Sequence, residues 1–166
     1  MGTGQTLLTI MAMMMLSRMV LSVNNENAQS GGSIEMAAYR ITATSLGTSV
    51  IEEATGLAYD ELSDTVGIST VTSFTLPCKL GPDHSETYPN FDDFDDFNGL
   101  HKVDSLAGSA IFTTDVTVQY VNISGNTITA SPSTQTYNKE IIVKVSSKSM
   151  PDTLTFYNIM SYWFFR

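Results

Sequence analysis

With a single cysteine, Cys78, this chain cannot close an intrachain disulfide or build a cysteine-based zinc site. Packing, within the chain or between copies of it, must hold it together. Cys78 lies beside a proline in "TLPCKL" and reads as a small buried or half-buried hydrophobe. Basic residues are scarce too: 8 Lys and Arg face 17 Asp and Glu, for a net charge of -9. The cations are scattered, as Arg18, Arg40, Lys79, Lys102, Lys139, Lys144, Lys148 and Arg166, so no basic patch offsets the repulsion of a phosphate backbone. Nucleic acid is therefore not expected as a main partner. Catalytic signatures are missing as well. "GQTLLT" has neither the spacing nor the lysine of a phosphate-binding loop, and "GTSVI" lacks the second glycine of a nucleophile elbow. Nothing fixes the spacing of His84 and His101 for a hydrolytic metal site. The chain is expected not to be an enzyme and to need no cofactor.

At 166 residues there is room for one domain with a real core. What stands out beside it is "QTLLTIMAMMMLSRMVLSV", Gln5 to Val23, almost wholly apolar. No basic residue precedes this run as in a secretory signal, although Ala28, Gln29 and Ser30 resemble a small-x-small cleavage site. A membrane span needs about 17 to 25 apolar residues, and Leu7 to Val23 reaches the short limit. Arg18 would cost about 2.5 to 3.5 kcal/mol at the bilayer centre, but near the end of the run it can snorkel toward the interface. Met11, Met13, Met14, Met15 and Met19 are adaptable gap fillers. Thr6, Thr9, Ala12, Ser17 and Ser22 are small enough to let helices approach closely. The composition suits a helix that enters a membrane and later packs against other helices.

"NNENAQSGGS", Asn24 to Ser33, follows. Gly31 and Gly32 each cost about 1 kcal/mol relative to alanine in a helix, which predicts a kink, a loosened turn or a short extended break there. Helical periodicity then resumes, with Met36, Ala43, Leu46, Val50, Ala54 and Leu57 on one stripe. A helix from about Thr3 to Glu61 would reach about 85 Å at 1.5 Å per residue. Such an element needs lipid or copies of itself along its outer half.

From Val66 the pattern is strand and loop. Strands are expected in "GISTVTSFTL", in "AIFTTDVTVQYVNI" with Phe112, Val116, Val118 and Tyr120 on one side, in "KEIIVKVSS" and in "TLTFYNIMSYW", with a short one at Thr127 to Ala130. A long helix followed by strands joined through short turns predicts an α+β fold: the helix packed on a C-terminal antiparallel sheet. Three segments result: residues 1–30, an apolar assembly or membrane helix; 31–62, an amphipathic spine; and 63–166, a β head with an acidic loop at 91–99. In that loop, "FDDFDDFNG", Asp92, Asp93, Asp95, Asp96 and Asn98 offer the hard oxygens calcium prefers. The spacing is not that of an EF-hand, and the competing reading is an acidic surface loop pinned by Phe91, Phe94 and Phe97, with "NG" turning the chain.

The layout of "GQTLLTIMAMMMLSRMVLSVNN", "AAYRITATSLGTSVIEEATGLAYDE", the "FDDFDDFNG" loop and the terminal strands resembles the type IV pilins and pseudopilins. The resemblance implies a structural subunit of an extracellular filament on the cell surface. Its helix would wait in the inner membrane and then pack against copies of itself. Assembly would then fall to Gln5, Leu7, Leu8, Met11, Met14, Met15, Arg18 and Met19. Where the family places a glutamate five residues into the mature chain, Gln5 stands if Met1 is the first residue, and it can hydrogen-bond but not pair with a terminal amine. The alternatives are a membrane-tethered β-domain that binds a ligand, with calcium at the acidic loop as one candidate, and a minor pseudopilin of a secretion system.

Overall fold

The computed structural model describes residues 2–63, 68–83, 86–105 and 110–162. The chain forms two compact units, Met1–Tyr39 and Arg40–Arg166. The helix α1, Thr3–Thr55, contributes to both.

In the first unit the chain stays helical through Asn24 to Ser33, so the extended break expected at Gly31 and Gly32 is not there. The reason lies in cooperativity. Once a helix is nucleated, each glycine costs only its propensity and not a new nucleus, and good helix formers such as Ala28, Gln29, Glu35 and Met36 flank the pair. A Cβ added at either glycine would meet nothing within 4 Å. Gly31→Ala and Gly32→Ala are each expected to stabilise this stretch by up to about 1 kcal/mol, read as slower amide hydrogen exchange around residue 31.

In the second unit, α1 buries Ala43, Gly47, Val50 and Ala54, with Leu46 half-buried, along the stripe that the periodicity predicts, but it ends at Thr55, short of the expected Glu61, so half-buried Leu57 lies past its end. It packs on a five-stranded antiparallel sheet. The strands are β1, His101–Ser105; β2, Ile111–Ser124; β3, Thr127–Ala130; β4, Asn138–Ser147; and β5, Leu154–Ser161. The order is β1-β2-β4-β5, and β3 folds back on the far end of β2. The core lies where β2 and β4 face each other, with Val116 opposite Val143 and Val118 opposite Ile141, all buried. Gly47 sits under Phe156 of β5, and a Cβ there would come 2.5 Å from two ring carbons. Gly47→Ala is therefore expected to destabilise this unit by about 1 to 3 kcal/mol through overpacking, more than alanine's helix propensity returns, as a lowered midpoint of thermal unfolding.

Four sequence expectations need correction or qualification. "GISTVTSFTL" is not a strand in its described residues but carries a single 3-10 turn at Val71–Ser73, and another follows it at Pro77–Lys79; Gly67 lies outside the described residues. Its backbone polar groups are taken by side chains instead of by a neighbouring strand. Thr75 donates its N–H to Asp60 Oδ2 at 2.9 Å and accepts from Tyr120 Oη at 2.8 Å. Phe74 anchors the segment, its ring 5.0 Å from that of Tyr59 and 5.2 Å from that of Tyr162. Cys78 is exposed instead of buried, because Phe74 takes the inward place in this stretch. The strand β1 was not expected at all: "HKVDS" offers no apolar alternation and pairs as an edge on β2. Finally, Trp163, expected at the end of the last strand, lies outside the described residues, and β5 ends at Ser161.

Candidate functional site

The first candidate is the surface of α1 within the first unit. Leu7, Leu8, Ile10, Met11, Met13, Met14, Met15, Leu16, Met19, Val20, Leu21 and Val23 are all exposed, from 50% for Val23 to 75% for Met15. Successive residues rotate by about 100° around the axis, so these side chains point to every side and leave no polar face toward water. An 18-residue window reaches a mean hydropathy of 1.8, with none of it buried, enough by length and composition to cross a membrane. A helix apolar all round is one that is surrounded by other apolar matter. The small polar residues fit such surroundings: Thr6 Oγ1 donates to Thr3 O at 2.9 Å and Thr9 Oγ1 to Thr6 O at 2.8 Å, so their hydroxyls need no water. Gln5 and Arg18 are exposed on the same helix. No salt bridge among the described residues involves Arg18. Glu26 lies about 12 Å farther along the axis at 1.5 Å per residue, and its Oε1 accepts from Ser22 Oγ at 3.5 Å.

The second candidate is the acidic loop, and here the residues go inward. Phe94 and Phe97 are fully buried and Phe91 nearly so, as expected of the pins, but Asp93, Asp95 and Asp96 are buried with them. One oxygen each of Asp93 and Asp96 is spent on the loop itself, while Asp95 turns to Lys139 of β4. Asp93 Oδ1 accepts the N–H groups of Asp95 and Asp96 at 2.8 and 3.1 Å, while Asp96 Oδ2 accepts those of Asp92 and Asp93 at 3.1 and 3.2 Å. Asn98 bridges Leu80 O and Val118 N, each at 2.9 Å, and Gly99 completes the turn at φ +83°. The surface-loop reading is thus corrected, and the calcium set Asp92, Asp93, Asp95, Asp96 and Asn98 does not converge on one point: four of the five are engaged inside the fold. Asp92 alone faces out, where its carboxylate meets those of Glu61 and Glu86 within 4.8 Å. The charge of Asp92 is the main cause that raises the Glu61 carboxyl above its ordinary range. His101, weighed as a metal ligand, sits on the exposed edge with Nδ1 2.7 Å from Asp115 Oδ1; His84 lies outside the described residues.

The third candidate is a cluster no sequence pattern had assembled. Lys139 enters β4 on its inward face, in line with Ile141, Val143 and Val145, and is fully buried. Its Nζ donates to Tyr59 O at 2.7 Å, to Asp60 Oδ2 at 3.0 Å and to Asp95 Oδ1. That uses all three ammonium donors. The rings of Tyr59 and Tyr120 flank the nitrogen, 4.5 and 5.5 Å from their centroids. Asp60 comes from the chain just after α1 and Asp95 from the acidic loop. Asp60 Oδ1 is buried and has no hydrogen-bond partner among the described residues. The signal in the sequence was the period-two register of "KEIIVKV", which puts Lys139 on the apolar face.

Burial, reinforced by the Asp95 charge and opposed by Lys139, pushes the Asp93 carboxyl up to about 8. Burial raises Asp95 as well, against the pull of Lys139. Because the folded value of Asp93 lies above its unfolded value of 3.8, the stability it contributes is fully present below that unfolded value and is lost as pH rises through about 8. The folded state binds the extra proton, so stability falls between these limits by at most about 1.4 kcal/mol per pH unit from this group. The charged groups facing it are Asp95, Asp96 and Lys139. Asp93→Asn keeps an oxygen for the two backbone N–H groups, and it is expected to flatten the fall in urea midpoint between pH 5 and pH 8.

No protein-family model matches the chain, and no curated protein or solved structure matches it either.

Proposed function

We propose that the chain is a structural subunit of an extracellular filament like a type IV pilus, assembled through the apolar part of α1 and held in the inner membrane before assembly. The observation that supports this reading is the helix surface over residues 7–23, apolar on every side and uncovered. A helix that docks on one partner needs one apolar face; this one needs surroundings on all sides, and both a bilayer and the centre of a helical bundle of copies supply them. The methionine-rich, small-residue composition favours repacking among helices over permanent residence in lipid. Gln5, Leu7, Leu8, Met11, Met14, Met15, Arg18 and Met19 would form the contacts between copies. Arg18, about 12 Å along the axis from its own Glu26, would find Glu26 or Gln5 of a neighbour.

The test is electron microscopy of the full chain after removal from detergent. Long fibres are expected, and Arg18→Met should change their yield or stability. A chain that stays dispersed in vesicles, with no fibres, would overturn the proposal in favour of a membrane-tethered β-domain. The carboxylates of exposed Glu61 and Asp92 and half-buried Glu86 are the feature such a binding module would use. Calorimetric titration of the same chain with calcium reads that alternative directly.

A further inference from the structure

From the placement of Lys139 between two buried carboxyls, we infer that the head carries an intramolecular amide bond between Lys139 Nζ and Asp95 Cγ, with Asp60 as the group that carries the protons. The three groups are shut away from water: the side chains of Lys139, Asp60 and Asp95 are 0%, 0% and 3% exposed. Lys139 Nζ already touches Asp95 Oδ1, and its other two contacts, Tyr59 O and Asp60 Oδ2, fix its direction. Well-oriented reacting groups reach effective concentrations of about 10⁵ to 10⁸ M. The rings of Tyr59 and Tyr120 wall the nitrogen in and keep out the water that would reverse the reaction.

The chemistry needs no outside reagent. The Lys139 ammonium passes a proton to the Asp60 carboxylate, and the freed amine attacks Cγ of the protonated Asp95 carboxyl. Burial raises the Asp95 carboxyl, and so favours the uncharged acid that an amine can attack. The C–N bond forms and the C–OH bond breaks. Asp60 gives its proton to the departing hydroxyl, which leaves as water, and takes the second proton from nitrogen. The products are a neutral amide, one water and a protonated Asp60. Asp60 Oδ1, buried and without a partner among the described residues, is the oxygen that would carry that proton. The reaction also removes an ammonium and a carboxylate from a dry interior, where isolated charges are costly. In a chain with one cysteine, this bond would cross-link β4 to the acidic loop where no disulfide can.

The experiment is the intact mass and tryptic map of the folded, full chain in detergent. The expected mass is that of the sequence less one water. Trypsin should fail to cut after Lys139, and a branched peptide should join the segments that contain Lys139 and Asp95. Asp95→Asn should change the deficit from one water to one ammonia, which names residue 95 as the acyl partner. Asp60→Asn should restore the full mass. The proposal is overturned by a full sequence mass in the folded wild type, by a water lost within one unbranched peptide as a cyclic imide, or by a branch that maps to Asp60. A folded Asp60→Asn chain that still loses water removes Asp60 from the reaction. The wild-type map decides the bond even if a variant does not fold.

Discussion

Lys139→Met is expected to destabilise the head by at least about 3 to 5 kcal/mol, the cost of removing one partner from a buried ion pair, to which loss of the proposed Lys139–Asp95 cross-link would add. Methionine matches the length of the lysine stem and can fill the same space beside Tyr59 and Tyr120, so little of the effect should come from a cavity. The cost comes from what is left behind. Asp60 and Asp95 would share a buried site with no cation, beside Asp93 and Asp96, all at most 4% exposed. Domains of this size are stable by about 5 to 15 kcal/mol, so the variant would lose a large share of that margin. Urea unfolding measures it as a lower midpoint. Adding Asp95→Asn to Lys139→Met should recover part of the loss, because it removes one of the stranded charges. A single variant as stable as the wild type would mean that Lys139 does not neutralise this cluster.

On the proposed function, Leu16→Asp is expected to block the membrane stage and, with it, assembly. Leu16 lies in the middle of the apolar run, and its neighbours one turn away, Ala12, Met13, Met19 and Val20, offer an aspartate no partner. An aspartate at the centre of a membrane helix costs about 2.5 to 3.5 kcal/mol, and the run is already near the short limit with Arg18 in it. Each 1.4 kcal/mol is a factor of ten, so the membrane-bound fraction should fall by about a hundredfold in a vesicle flotation assay. The head is expected to unfold at the wild-type midpoint, since residue 16 belongs to the first unit. A variant that floats with vesicles like the wild type would show that the run is not what inserts.

How much of this could be read from the chain depends on how local the deciding interactions are. The stripe of Ala43, Val50 and Ala54 and the alternation of β2 and β4 follow from neighbours a few residues apart, and they came out as the periodicity predicts. The hairpin strand Thr127–Ala130 is set by the turn beside it, where Gly125 adopts φ +60°. The stretch from Gly67 to Leu76 has the composition of a strand, yet its Thr75 backbone groups are captured by Asp60 and Tyr120, which arrive from elsewhere in the chain. Asp93, Asp95 and Asp96 look like surface residues by type. They go inside because Phe94 and Phe97 pull the loop in and because each carboxylate finds a donor there.

By itself the sequence determined that a helix over residues 7–23 has no polar face for water, and that no intrachain disulfide could brace the head. It also determined the α+β class, through the change from a three-to-four-residue period to a two-residue one. Only the tertiary structure decided that Lys139 meets Asp60 and Asp95, which lie 79 and 44 residues away in the chain. The inward register of β4 marks Lys139 as buried, but nothing near it in sequence names the carboxylates that neutralise it. Those are chosen by where the end of α1 and the acidic loop come to rest on the sheet, and burial then turns ordinary surface charges into a coupled site.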